Sequence, residues 1–222
     1  QIGRAENFII ALAELIQRLV VDHLHILGDI FDRGPGPHFI MDRLMNYHSL
    51  DIQWGNHDIS WMGAAAGNLA CICNVLRIAI SYNSFDVLED GYGINLRPLS
   101  MFAASAYRDD PCTRFKPHIL DQNIYDVVDP GLVAKMHKAI TIMQFKLEGQ
   151  LIKENPEFEM EKRLLLDKIN IEKGTVCVEE TEYPLKDVSF PTIDWEDPYR
   201  LSEDEADVME RLVTAFVNCE KL

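Results

Sequence analysis

Residues 24–38, LHILGDIFDRGPGPH, run from an alternating apolar segment straight into a turn that sets Asp29, Asp32 and Arg33 among glycines and prolines. Polar and apolar positions alternate from Asp22 to Leu27 and stop at Gly28, the pattern of a strand entering a core. A second segment, LDIQW at residues 50–54, also reads as a strand and also ends at a glycine, in Gly55-Asn56-His57-Asp58. Between the two, PGPHFIMDRLMNYHS opens with prolines and continues with Phe39, Ile40, Leu44 and Met45 at helical spacing; proline is tolerated in a first helical turn because its missing N–H would have no partner there. Upstream, Phe8, Ile9, Leu12, Ile16, Leu19 and Val20 recur at intervals of three and four, which predicts an amphipathic helix over residues 5–20. Two strands separated by a helix, each followed by a loop of Gly, Asp, Asn or His, describe a parallel βαβ unit. Both loops are then expected at one sheet edge, where α/β folds place ligands.

The rest of the chain sorts into two parts. Residues 59–82 are apolar with few charges and predict one or two largely buried helices broken near Gly67-Asn68; helical patterns continue through 84–107 around the EDGYG turn. RDDPCTRFKPH, dense in charge and proline, predicts an exposed connection. Beyond residue 118 comes a long helical pattern interrupted at Pro156, then a hairpin in GTVCVEETEYPLKDVSF, then a final helix with a serine cap and an acidic first turn. The expected organisation is an α/β catalytic part over residues 1–118, followed by a mainly helical accessory region over 119–222 that packs around it or between subunits.

Of the 222 residues, 47% are hydrophobic and 26% charged, a balance that can bury a sizeable core. The net charge is −15, and the second part carries most of it: 12 basic against 23 acidic side chains, compared with 9 and 13 before residue 119. An acidic surface without a basic stripe argues against nucleic acid as a partner, and no apolar run approaches a membrane span or signal peptide. The chain opens without Met, so a true N-terminus is expected upstream. Five scattered cysteines with no CxxC pair fit neither a disulfide framework nor a thiolate zinc site, and suit a reducing cytoplasm.

The chemistry concentrates in the two loops. Asp29 is an ionisable group directly after a buried strand, a costly placement unless a cation or a helix N-terminus holds it. Arg33 offers a planar fork that matches phosphate oxygens, although an Asp32–Arg33 surface ion pair is the plainer reading, weakened by the poor geometry of adjacent residues. Asn56 can ligate a metal through its amide oxygen without adding charge. His57 is of the residue type that most often moves protons at physiological pH, and suits proton transfer if Asp32, from the other loop, orients its imidazole. His23 and His25 alternate on one strand face like a chelating pair but precede the strand end and are not expected to ligate; His38, His48, His118 and His137 have no motif around them and are expected to be surface residues.

GDIFDRG followed by GNHD resembles the second and third signature motifs of the calcineurin-like metallophosphoesterases, and QWGNHDISWMGAAAGNLACICNVLRIAISYN with LEDGYGINLRPLSMFA is similar to the bacterial class III fructose-1,6-bisphosphatases. The resemblance implies a metallophosphoesterase-like sheet layered with helices and a two-metal site, most simply for Mn2+. In it Asp29 would bridge the metals and Asn56 would ligate one of them. Arg33 would grip the phosphate of a sugar phosphate, and His57 with Asp32 would protonate the leaving alkoxide. Asp58 stands where protein phosphatases carry Glu, which favours the sugar phosphatase over another phosphoesterase. The upstream D-x-H motif and the downstream Gly-His loop of such enzymes have no counterpart here; Asp22 and His25 are wrongly spaced. The chain is therefore expected to be an internal stretch of a longer enzyme, inactive alone, with a homo-oligomer as a candidate assembly of the complete enzyme. The remaining alternative is a non-catalytic module that keeps part of the fold.

Overall fold

A computed structural model describes residues 3–118 and 129–222. Its centre of gravity for function is the unit read from the sequence: β1 (Leu24–Ile26) and β2 (Leu50–Ile52) pair in parallel, Leu24 opposite Leu50 and Ile26 opposite Ile52. Helix α1 (Gly3–Val20) precedes them and α2 (Pro37–Leu44) connects them. The strands are shorter than the alternation suggests, because the backbone turns to positive φ at Gly28 and Asp29 and leaves the ladder. Both loops leave the same end of the pair, as a parallel crossover requires. The amphipathic face of α1 is uncovered by the described residues: Phe8 is 63% and Leu19 74% exposed. Two three-residue strands offer too little surface to shelter an eighteen-residue helix.

The larger body is helical. Helices α3 (Asn56–Ala65) and α4 (Leu69–Ser81) divide at Gly67, whose φ of +84° ends the first, and at Asn68, whose side chain accepts from the Cys71 N–H to cap the second. A π-helical turn, Val87–Gly91, stands at EDG, followed by α5 (Arg97–Ala106), α6 (Pro130–Glu154) and α7 (Glu203–Val217). Ile72, Leu76, Ile80, Leu88 and Leu99 meet Ala139, Ile140, Met143, Leu212 and Phe216 in one buried cluster. The core thus continues past residue 118, with α6 against α4 and α5, and α7 against α3, α4 and α5. Pro156 stops α6, and the helical pattern beyond it yields only single 3-10 turns before the antiparallel β3 (Ile169–Asn170), β4 (Thr175–Val178) and β5 (Thr181–Pro184). Ser202 and Glu205 cap α7 reciprocally. Among the described residues the architecture is mixed α/β, dominated by helix, with two small sheets. No helix among the described residues is long and apolar enough to cross a membrane.

Two expectations need correction. RDDPCTRFKPH is not simply an exposed connection: Asp110 and Cys112 are buried. The reason is Lys138, fully buried on α6, whose ammonium donates to Asp110 at 2.6 Å and to Asp187 at 2.7 Å and lies over the rings of Tyr107, Phe115 and Phe190. A buried cation needs such company, because removing it from water is expensive. His38 and His137 are half-buried and not surface residues: the His38 ring lies against Gly91, and His137 bonds through Nδ1 to the Phe115 carbonyl. A second buried pair, Lys146 to Glu205 at 2.6 Å, joins α6 to α7, with the Thr192 carbonyl as a further acceptor.

Asp110 predicts an acid-sensitive joint. Burial pushes its carboxyl up, but the Lys138 ammonium and the Cys112 N–H outweigh burial and bring it down to about 2. A carboxylate depressed in the folded state stabilises the protein above the ordinary carboxylate range and loses that contribution as the pH falls. Urea unfolding followed from pH 4 to pH 2 is therefore expected to show a steeper loss of stability in the wild type than in Asp110→Asn, starting from a lower value in the variant. Equal slopes would contradict the assignment.

Candidate functional site

The two loops are built to touch. A Cβ added at Gly28 would collide with the Gln53 carbonyl and the Gly55 N–H, and one added at Gly55 would collide with the Asp29 carboxylate. The glycine of each motif is therefore required by the other loop, a constraint of close approach, and at Gly28 also by its φ of +91°. Asp29 follows at a φ of +52°, a left-handed conformation that Asp tolerates better than most residues.

Asp58, in the first turn of α3, closes the junction. Its Oδ2 accepts from the Gly55 N–H at 2.9 Å and from the Asp29 N–H at 2.6 Å, while Oδ1 accepts from the Phe31 N–H at 3.1 Å. The side chain is 1% exposed. One carboxylate thus satisfies donors from both loops, and its charge sits at the positive end of α3. Phe31 is fixed in turn by its ring, 4.7 Å from Trp61 of α3 and 6.1 Å from Tyr92.

The candidate side chains converge on this frame. Asp29 Oδ1 accepts from the His57 backbone N–H at 3.3 Å, which sets Asp29 beside the start of α3, where Asn56 is the first residue. His57 Nε2 lies 3.1 Å from Asp32 Oδ1, so the two residues expected to form a dyad across the loops stand in ion-pair contact. The Asp32–Arg33 pair, expected to form poorly between neighbours, also forms: both the backbone N–H and Nε of Arg33 donate to Asp32 Oδ1 at 2.8 Å. The turn allows it by wrapping Arg33 around the carboxylate, and Oδ1 serves His57 as well. These contacts, led by the Arg33 side-chain bond, hold the Asp32 carboxyl below its usual range. The other end of the guanidinium lies over the Tyr82 ring, 5.5 Å from its centre, and donates from Nη1 to the Tyr82 hydroxyl at 3.3 Å.

Asp29 and Asn56 are oxygen donors of the type that hard divalent cations take. They do not complete a metal site by themselves: among the described residues no group of three or more His, Cys, Asp or Glu could hold a metal ion. Asp58 is committed to backbone N–H groups. His23 and His25 are committed to Asp51, at 2.7 and 2.9 Å. Sequence reasoning missed the stapling role of Asp58, taken there only as a family marker, and missed Tyr82 altogether. The first was detectable as an acid at the third helical position of a Gly-capped helix; the second, 49 residues from Arg33, had no local signal.

A model of the Firmicute fructose-1,6-bisphosphatase family matches residues 1–222. The chain belongs to this family. It is 58% identical over 222 residues to the class 3 fructose-1,6-bisphosphatase of Alkaliphilus metalliredigens (strain QYMF), which covers all of this chain and 33% of that protein. It is also 58% identical over 221 residues to that of Clostridium botulinum (strain Langeland) and 57% identical to that of Clostridium novyi (strain NT), again with 33% of each covered. The chain spans about a third of the length of the curated relatives it matches. No solved structure matches it.

Within this fructose-1,6-bisphosphatase family segment, Asp58→Ala is expected to lower the unfolding free energy by about 3 kcal/mol, the scale for orphaning buried donors of a charged acceptor. Hydrogen exchange at the amides of Asp29, Phe31 and Gly55 should accelerate well beyond the change seen elsewhere. Unchanged exchange at those amides would refute the staple.

Proposed function

We propose that these residues are the phosphate-gripping and proton-donating part of a metal-dependent fructose-1,6-bisphosphatase, which hydrolyses fructose 1,6-bisphosphate to fructose 6-phosphate and phosphate in gluconeogenesis. The observation that carries the reading is the 3.1 Å contact between His57 and Asp32, contributed by two loops that meet only when the parallel strands are paired. Arg33, a neighbour of the dyad on the same carboxylate, would bind the phosphate oxygens. His57 would deliver its Nε2 proton to the leaving alkoxide, with Asp32 holding the ring and stabilising its charged form. Asp29 and Asn56 would contribute two of the ligands of a dinuclear site, most simply for manganese, with further ligands supplied in a chain of the relatives' full length. Bound divalent cations would supply neutralisation of the phosphoryl charge and activation of the attacking water.

The sheet fits the edge of a metallophosphoesterase layer, where strand-end loops carry the ligands. Residues 119–222 fit a packing role, because α6 and α7 complete the core on which α3 rests. The free thiols and the absence of disulfides among the described cysteines suit a cytoplasmic enzyme.

In a full-length protein containing these residues, Asp29→Asn is expected to lose bound metal and activity together. His57→Ala should keep the metal and lose about 10²–10⁴-fold in turnover, the range for removing a general acid. Phosphate release should be far faster from fructose 1,6-bisphosphate than from a phosphopeptide. Full activity of His57→Ala would sink the dyad, and the reverse ranking of substrates would sink the sugar-phosphatase reading.

A further inference from the structure

Nothing in the motifs assigns a role to Tyr82, yet its placement relative to Arg33 is specific. Tyr82 is the residue that closes α4, and its backbone N–H bonds back to the Ile78 carbonyl. The two residues before it, Ile80 and Ser81, are buried, so the Cα position is set by the core. Its ring lies 5.9 Å from that of His118, whose own N–H donates to the Ser81 carbonyl at 2.7 Å. The ring thus neighbours both His118 and the Arg33 guanidinium.

Arg33 itself is half exposed and sits on a turn, where a free arginine would sample many rotamers and lose that freedom on gripping an anion. Three contacts remove the freedom beforehand. Nε is fixed by Asp32, Nη1 by the Tyr82 hydroxyl, and the plane of the guanidinium by the Tyr82 ring. The Tyr82 hydroxyl accepts from Arg33, which leaves its own proton to be donated to a further acceptor. A guanidinium whose edge is anchored and whose neighbour can donate is preorganised for a tetrahedral oxyanion.

We propose that Tyr82 is the positioning residue of the phosphate site: it orients Arg33 and, by its remaining hydroxyl proton, adds a donor to the phosphate that Arg33 binds. This rests on the reading of Arg33 as the phosphate-gripping residue. It goes beyond that reading by joining α4, a helix outside both motifs, to substrate binding.

The test is a double-mutant cycle in the full-length, metal-loaded protein, read by the inhibition constant of inorganic phosphate and by KM and kcat for the bisphosphate. Tyr82→Phe keeps the ring and removes the hydroxyl. It should weaken phosphate binding and raise KM by about 10-fold, the scale of one hydrogen bond to a charged group. Thermal melting should be unchanged, and kcat should fall by less than KM rises. Tyr82→Leu, which also removes the stacking, should be weaker still. In an Arg33→Ala background, Tyr82→Phe should cost less than it does in the wild type, because only its own donation to the phosphate is left to lose. Wild-type phosphate affinity in Tyr82→Phe, with Arg33→Ala impaired, would overturn the role of Tyr82 and leave that of Arg33 standing. Additive losses in the double variant would overturn the coupling. Wild-type phosphate affinity in Arg33→Ala would overturn both the role of Arg33 and this proposal.

Discussion

One carboxylate holds the site together. Asp58 receives the N–H groups of Gly55, Asp29 and Phe31, so the same buried charge caps α3 and ties the turn after β1 to the turn after β2. Without it, these donors would point into a protein interior with no partner, and the two loops would have only three-residue strands to keep them in register. Everything proposed about chemistry depends on that junction, since Asp32 and Arg33 come from one loop and Asn56 and His57 from the other.

The frame that holds the junction is larger than the βαβ unit. Phe31 rests on Trp61, and Trp61 lies 6.4 Å from Phe216 of α7, so a line of aromatic contacts runs from the first motif into the acidic second part of the chain. Lys138 and Lys146, both fully buried on α6, are neutralised by carboxylates outside that helix: Asp110 and Asp187 for the one, Glu205 for the other. Such pairs are seldom the cheapest way to fill a core, but breaking one is costly, and they specify which segments must meet. Two of the acids after residue 118, Asp187 and Glu205, are therefore counter-charges within the core; the lysines they pair with lie in the same part of the chain, so its net excess of acid is carried by other side chains.

Much of this was legible from residue pattern, for definite reasons. Alternation at Asp22–Leu27, the proline-led helix and the two Gly-terminated loops each have a local physical cause, and the parallel pair with its loops at one end followed from them. Gly67-Asn68 marked a helix break, and Ser202 with Glu205 marked a cap, because both signals lie within a few residues of their effect. What stayed hidden was non-local. The burial of Asp110 depends on Lys138, 28 residues away, and the bracket around Arg33 depends on Tyr82. The Asp32–Arg33 contact was underrated because adjacent side chains in extended chain diverge, whereas this turn brings them together. The face of α1 was legible as amphipathic, but its periodicity carries no information on what covers it.

The central claim is that Asp58 organises the loops so that Asp29 and Asn56 are left for metal while Asp32 and His57 pair. A crystal structure of the full-length protein with manganese and phosphate tests this most directly. The account predicts both Asp58 oxygens on the N–H groups of Gly55, Asp29 and Phe31, His57 within hydrogen-bonding distance of Asp32, and Asp29 and Asn56 on the metal. Asp58 in the metal coordination sphere, or His57 and Asp32 on separate partners, would contradict it.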